Sequence, residues 1–126
     1  MKFLLSIAFL FAFGLSGSAQ SPTADLFSGG ARQIRAGQFD AALENYKTAL
    51  AVAENKYANK GYRARLHYNV GVCYFHLDKF ELAADHFKRA ILLKTDYSLA
   101  YYALGMTKIQ EQKLRATAAT RTSVTK

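Results

Sequence analysis

Three glycines set the frame of this 126-residue chain. Gly30 is followed twelve residues on by Ala42, then by Tyr46 and Ala49, and Gly71 is followed at the same intervals by Ala83, Phe87 and Ala90. Gly105 stands 34 residues after Gly71, and each follows an apolar residue, Val70 and Leu104. A pattern that recurs at fixed spacing describes one small unit used repeatedly, and such units bury their apolar faces on one another because none can build a core alone. The period within each unit is helical. Phe39, Ala42, Leu43, Tyr46, Ala49 and Leu50 recur at three-and-four spacing and fall on one face of a helix. No segment alternates with period two, so the expected fold is all-α without strands.

Local signals divide the chain into about five helices. The first is expected from a cap at Ser21, with Pro22 in the first turn where its missing N–H costs nothing, to about Ala36. Gly37 breaks it. A second helix is expected from Phe39 to near Asn55, and Asn55 to Gly61, with two Asn and a Gly, reads as a loop. A third runs from about Tyr62 to Leu77, a turn falls at Asp78-Lys79, and a fourth covers Phe80 to Leu93. A cap at Thr95 or Asp96 then opens a fifth helix from Tyr97.

The spacings resemble the tetratricopeptide repeat, W-x2-L-G-x2-Y, then A-x3-F, then P, on a 34-residue period. The middle copy matches best, with Val70-Gly71-x2-Tyr74 and Ala83-x3-Phe87-x2-Ala90. Its small residues let two helices approach closely, while Tyr74, Phe80 and Phe87 fill the volume around them. The first copy has Gly29 in place of Leu and Gln33 in place of Tyr, and it precedes the second by 41 residues, seven more than the period. Those seven are assigned to a longer second helix and the Asn55 to Gly61 loop. The third copy keeps Tyr101-x2-Leu104-Gly105 but has Lys108 for the aromatic and no second-helix pattern behind it. Thr95 stands where the Pro after the middle copy is usual. The resemblance covers roughly Thr23 to Gln112, within a repeat domain expected at 20–115.

At the N-terminus, Met1-Lys2, the apolar run Phe3 to Phe13 and the small residues Gly14 to Ala19 have the layout of a secretory signal peptide over 1–19, cleaved before Gln20. The apolar run is well short of the roughly 20 residues that span a bilayer. The mature chain is therefore expected to be exported, periplasmic or secreted, without a transmembrane segment. Residues 1–19 carry one lysine and no acid, so their removal lowers the net charge from +8 to +7. Export argues against nucleic acid as the partner, and the basic residues are scattered apart from one cluster, Lys56, Lys60, Arg63 and Arg65.

Signals for chemistry are weak. His67, His76 and His86 are nine and ten residues apart, so no two share the i, i+4 spacing of a helical metal site, and each is expected to be a partly exposed helix residue. The single Cys73 excludes an intramolecular disulfide or Cys-based zinc site and is expected to be a buried small hydrophobe. No paired-carboxylate site, phosphate loop or nucleophile motif occurs, so neither catalysis, a cofactor nor a metal is expected.

What the resemblance implies instead is a concave face lined by the first helix of each copy and used to hold a protein or peptide. The residues it places there are Phe27, Ala31 and Ile34, then Arg65, Tyr68, Val72, Phe75 and His76, then Leu99, Tyr102, Met106 and Ile109. Some family members clamp a C-terminal carboxylate with Lys, Arg and Asn. Here only Asn69 matches that set, with Phe27, Ala31, Leu99 and Ala103 at the other places, so that function is not implied. The reading is a non-catalytic adaptor of the cell envelope or secreted space. The alternative is a basic protein attaching to anionic envelope polymers or lipid headgroups. The open end of the array, with Tyr101 and Leu104 bare, calls for cover by Leu114 folding back or by a second chain, a homodimer through the fifth helix. The tail at 116–126 is expected to be disordered.

Overall fold

The computed structural model describes residues 22–55 and 58–124. The expected signal peptide at 1–19, the cleavage before Gln20, the Ser21 cap and Lys56 lie outside the described residues. Within them the chain is five helices: α1 (Pro22–Arg35), α2 (Phe39–Asn55), α3 (Lys60–His76), α4 (Phe80–Leu93) and α5 (Ser98–Val124). No strand occurs among the described residues. Helices α1 and α2 form one hairpin and α3 and α4 the next; α2 stacks on α3, and α5 packs against α4. This is the expected all-α array of helical hairpins.

Both hairpins turn by the same device. The N–H of Gly37 donates to Ile34 O and that of Gln38 to Gln33 O; 41 residues on, Asp78 donates to Phe75 O and Lys79 to Tyr74 O. This double closure satisfies the last carbonyls of a helix and needs a left-handed residue at its centre. Gly37 takes that place with φ 75° and Asp78 with φ 60°. Asp tolerates the region better than most side chains, which is why a turn without glycine forms at Asp78. Seven residues after Gly105 the corresponding place is Gln112, where no such stop exists, and α5 runs on to Val124.

The repeat glycines explain how closely the helices approach. A Cβ on Gly30 would sit 2.7 Å from the Tyr46 ring, and one on Gly71 would sit 2.6 Å from the Phe87 ring. Each ring therefore lies directly on bare backbone, and both are almost fully buried. Ala42, Ala49, Ala83 and Ala90, completely buried, supply the flat surface on the other side of each contact. At Gly105 nothing among the described residues lies within 4 Å of the corresponding position.

The departures in the first copy are paired substitutions. Gln33 accepts a hydrogen bond from Asn45 Nδ2 at 2.7 Å. At the equivalent places of the second hairpin the Tyr74 and His86 rings meet at 5.6 Å between centroids. Gly29 leaves room for the same amide, whose nitrogen would stand 3.5 Å from a Cβ there. One hairpin closes this corner with a polar pair and the other with two rings.

The seven extra residues fall partly where expected. Three lengthen α2, which has 17 residues against 14 in α4. The other four extend α3 ahead of Gly71 and not the loop, because α3 starts at Lys60, capped by Asn59, whose side-chain oxygen accepts from the Gly61 N–H at 2.7 Å. Helix α5 begins at Ser98, one residue later than expected. The segment expected to be disordered is helical through Val124, and its side chains are exposed. Leu114 does not fold back over Tyr101 and Leu104; it continues the helix beside Phe80 and Leu82 at the start of α4. Nearby, Arg115 lies 3.6 Å from Glu81 and 2.7 Å from Glu111.

Candidate functional site

The first helix of each hairpin and α5 line two grooves that meet at Tyr68. One is bounded by Phe27, Ala31, Ile34 and Arg35 of α1, by Arg65, Tyr68 and Asn69 of α3, and by Tyr46 and Tyr97. The other is bounded by Tyr68, Val72, Phe75 and His76 of α3, by Tyr102, Ala103 and Met106 of α5, and by Phe87. Helical spacing produces this: residues 65, 68, 72 and 75 follow at three and four, so one stripe of α3 forms the floor common to both. Phe27, Ile34, Arg65, Tyr68, Val72, Phe75, His76, Tyr102 and Met106 thus line one or other of the two grooves. Ile109 and Leu99, both exposed, line neither groove. Arg35, Asn69, Tyr97 and Ala103 are lining residues not on the predicted list.

Some of these side chains also hold the fold. The Tyr68 ring packs 5.7 Å from Phe87 and 5.3 Å from Tyr97, and burial raises its phenol pKa. Phe75 stands edge-on to Phe80 at 5.5 Å. His76 is exposed and stacks on Phe39 at 4.3 Å. Tyr102 is different: it is 70% exposed and makes no such ring contact among the described residues. Arg65 lies with its guanidinium 4.7 Å above the Phe27 ring. That contact holds the planar cation at the groove wall. Among the described residues neither groove is lined by a carboxylate, and Arg35 and Arg65 make the first one electropositive.

The basic cluster at Lys60 to Arg65 does not form one patch. Arg65 belongs to the groove, whereas Arg63, two residues away, acts on His67 on another side of α3.

His76 and His86 are exposed and half-buried helix residues as expected, and His67 corrects the sequence reading. His67 is 3% exposed, and its Nδ1 stands 3.1 Å from Nδ1 of His86, which is itself half-buried. Glu54 Oε1 of α2 faces His67 Nε2 at 3.7 Å. A carboxylate there favours a proton on Nε2, so His67 Nδ1 is the acceptor and His86 Nδ1–H the donor. Burial, with Arg89 and Arg63 beside it, lowers the His67 pKa to about 4. Burial, His67 and Arg89 lower His86 to about 4 against the opposing pull of Asp85 and Glu54. Spacing along one helix could not reveal this pair, because its members are on facing helices. The signal was available in the repeat: His67 lies one turn before Gly71 and His86 next to Phe87, and that glycine and that ring touch.

Cys73 is completely buried, and burial raises its thiol to about 11, an inert small hydrophobe as expected. Among the described residues no group of three or more His, Cys, Asp or Glu is placed to hold a metal ion, and no helix is long and apolar enough to cross a membrane.

With hairpins, glycine slots and grooves in place, the family model of the tetratricopeptide repeat matches residues 23–96. The chain belongs to the tetratricopeptide-repeat family, whose repeats generally mediate protein–protein interaction. A search of curated proteins returns no match.

Proposed function

We propose that the chain is an exported, non-catalytic adaptor that holds a segment of a partner protein in its concave face. The observation that carries this reading is the pair of contiguous grooves sharing Tyr68, with aromatic walls, two arginines and no lining carboxylate. Such a surface suits an extended segment with apolar side chains and an acidic group near Arg35 and Arg65. Catalysis has no support in the site. The division of the basic cluster between two sides of α3 favours groove capture over attachment to anionic polymers.

Export rests on the N-terminal pattern and is tested by the intact mass of the protein recovered from the envelope or medium, expected to start at Gln20. Retention of 1–19 in a membrane fraction overturns it. Capture is tested by affinity isolation with the wild type and with a Tyr102→Ser, Arg65→Glu variant, at low and high salt. A partner held through an apolar groove stays bound at high salt and is lost in the variant. A partner that leaves both proteins equally as salt rises is bound by charge alone and contradicts the proposal.

A further inference from the structure

The last helix displays half of a hairpin. Tyr101, Leu104, Gly105 and Lys108 occupy on α5 the places that His67, Val70, Gly71 and Tyr74 occupy on α3, and Leu26, Gly29, Gly30 and Gln33 on α1. On α1 and α3 this stripe is covered by the following helix. On α5 it is open: Tyr101 is 51% exposed, Gly105 is exposed, and among the described residues nothing lies within 4 Å of a Cβ on the glycine. The Tyr101 hydroxyl donates to Thr95 O at 3.1 Å, which fixes the ring over the start of its own helix and away from the Gly105 slot.

The two covered stripes state what chemistry the open one fits. Each takes an aromatic ring onto its glycine, from a helix with alanine four residues before that ring and three after it. Each also pairs the residue just before the ring with the residue three after the glycine: Asn45 with Gln33, and His86 with Tyr74. On α5 that residue is Lys108. Its ammonium group is half-exposed and 3.3 Å from Glu111, a carboxylate already held more closely by Arg115 at 2.7 Å. The complementary residue on an incoming helix is an acid. We infer that this face of α5 receives a helix of another protein, carrying an aromatic residue preceded by Asp or Glu, with small residues four before and three after it. A second copy of this chain does not supply such a helix. Tyr46 and Phe87 are buried in their own hairpins, and Tyr101 follows a buried alanine. The proposal is independent of the concave grooves.

The probe is a synthetic peptide copying residues 79–94 with His86→Glu, titrated into the protein and followed by fluorescence anisotropy. The wild type is expected to bind it saturably. Gly105→Leu, which fills the slot from a Cβ position that no described atom approaches within 4 Å, is expected to weaken binding on the order of tenfold or more while melting no earlier than the wild type. Lys108→Glu is expected to reverse the preference, favouring the same peptide with His86→Lys. Equal binding by wild type and Gly105→Leu, or a charge preference that Lys108→Glu leaves unchanged, overturns the inference. So does a concentration-dependent dimer of the wild type in sedimentation that Gly105→Leu abolishes, since a second copy then fills the slot.

Discussion

Gly71 and Gly105 are the same residue at the same place in the repeat, yet substitution should act on them in opposite directions. Alanine at Gly71 meets the Phe87 ring at 2.6 Å, inside a core with no room to give. Overpacking of this kind typically costs about 1–3 kcal/mol. Alanine at Gly105 meets nothing and removes the helix-breaking entropy of glycine, a gain of up to about 1 kcal/mol. Denaturant unfolding of the two variants should show the first less stable than the wild type and the second more stable. The histidine pair makes a second residue-scale prediction. Folded-state values near 4 lie below the ordinary 6.5 of an unfolded histidine, so the unfolded chain binds more protons between these limits. Stability should fall as pH drops from about 6.5 towards 4, by on the order of 3 kcal/mol for a shift of this size at the buried His67. A His67→Leu, His86→Asn variant, which borrows Leu26 and Asn45 from the first hairpin, should show a flatter profile in urea titrations between pH 7 and 4.5. An equally steep profile would assign the acid sensitivity to other groups.

At the scale of elements, the helices and their turns were legible because their signals are local: helical period, Gly37, Asp78-Lys79, and the glycine-to-alanine interval. The cap of α3 was missed by a few residues because Asn59 competes with Asn55 and Gly61 within one polar stretch, and only the bond to the Gly61 N–H decides between them. The His67–His86 pair was missed because it is a contact between helices. The order at 116–124 was misjudged from composition. Threonine-rich sequence is a poor helix former, yet α5 has no left-handed stop at Gln112, and hydroxyls of Thr117, Thr120 and Thr122 bond back to carbonyls one turn earlier. Nothing of the hairpins rests on that extension. Truncation after Arg115 should therefore leave the thermal midpoint within about 2 °C of the full chain while reducing helical circular dichroism. A large drop in the midpoint would show that the extension packs on the body.

Across the whole molecule, ten of the twelve residues placed on the concave face by family resemblance line the two grooves, and the exceptions, Leu99 and Ile109, lie on α5 outside both of them. The stripe on α3 was readable from spacing. Which of its members also hold the core was not, since that depends on Phe87, Tyr97 and Phe80 arriving from other elements. Tyr68→Ala and Phe75→Ala should therefore lower stability as well as binding, whereas Tyr102→Ala should affect binding alone. The most direct measurement of groove capture is site-specific photo-crosslinking in the native setting, with the photoreactive residue at Tyr102 in the groove or at Leu92, exposed and outside both grooves. Groove capture predicts a discrete adduct with one protein from position 102 that disappears in an Arg65→Glu background, and none from position 92. The same adducts from both positions, or an adduct from 92 alone, would contradict it.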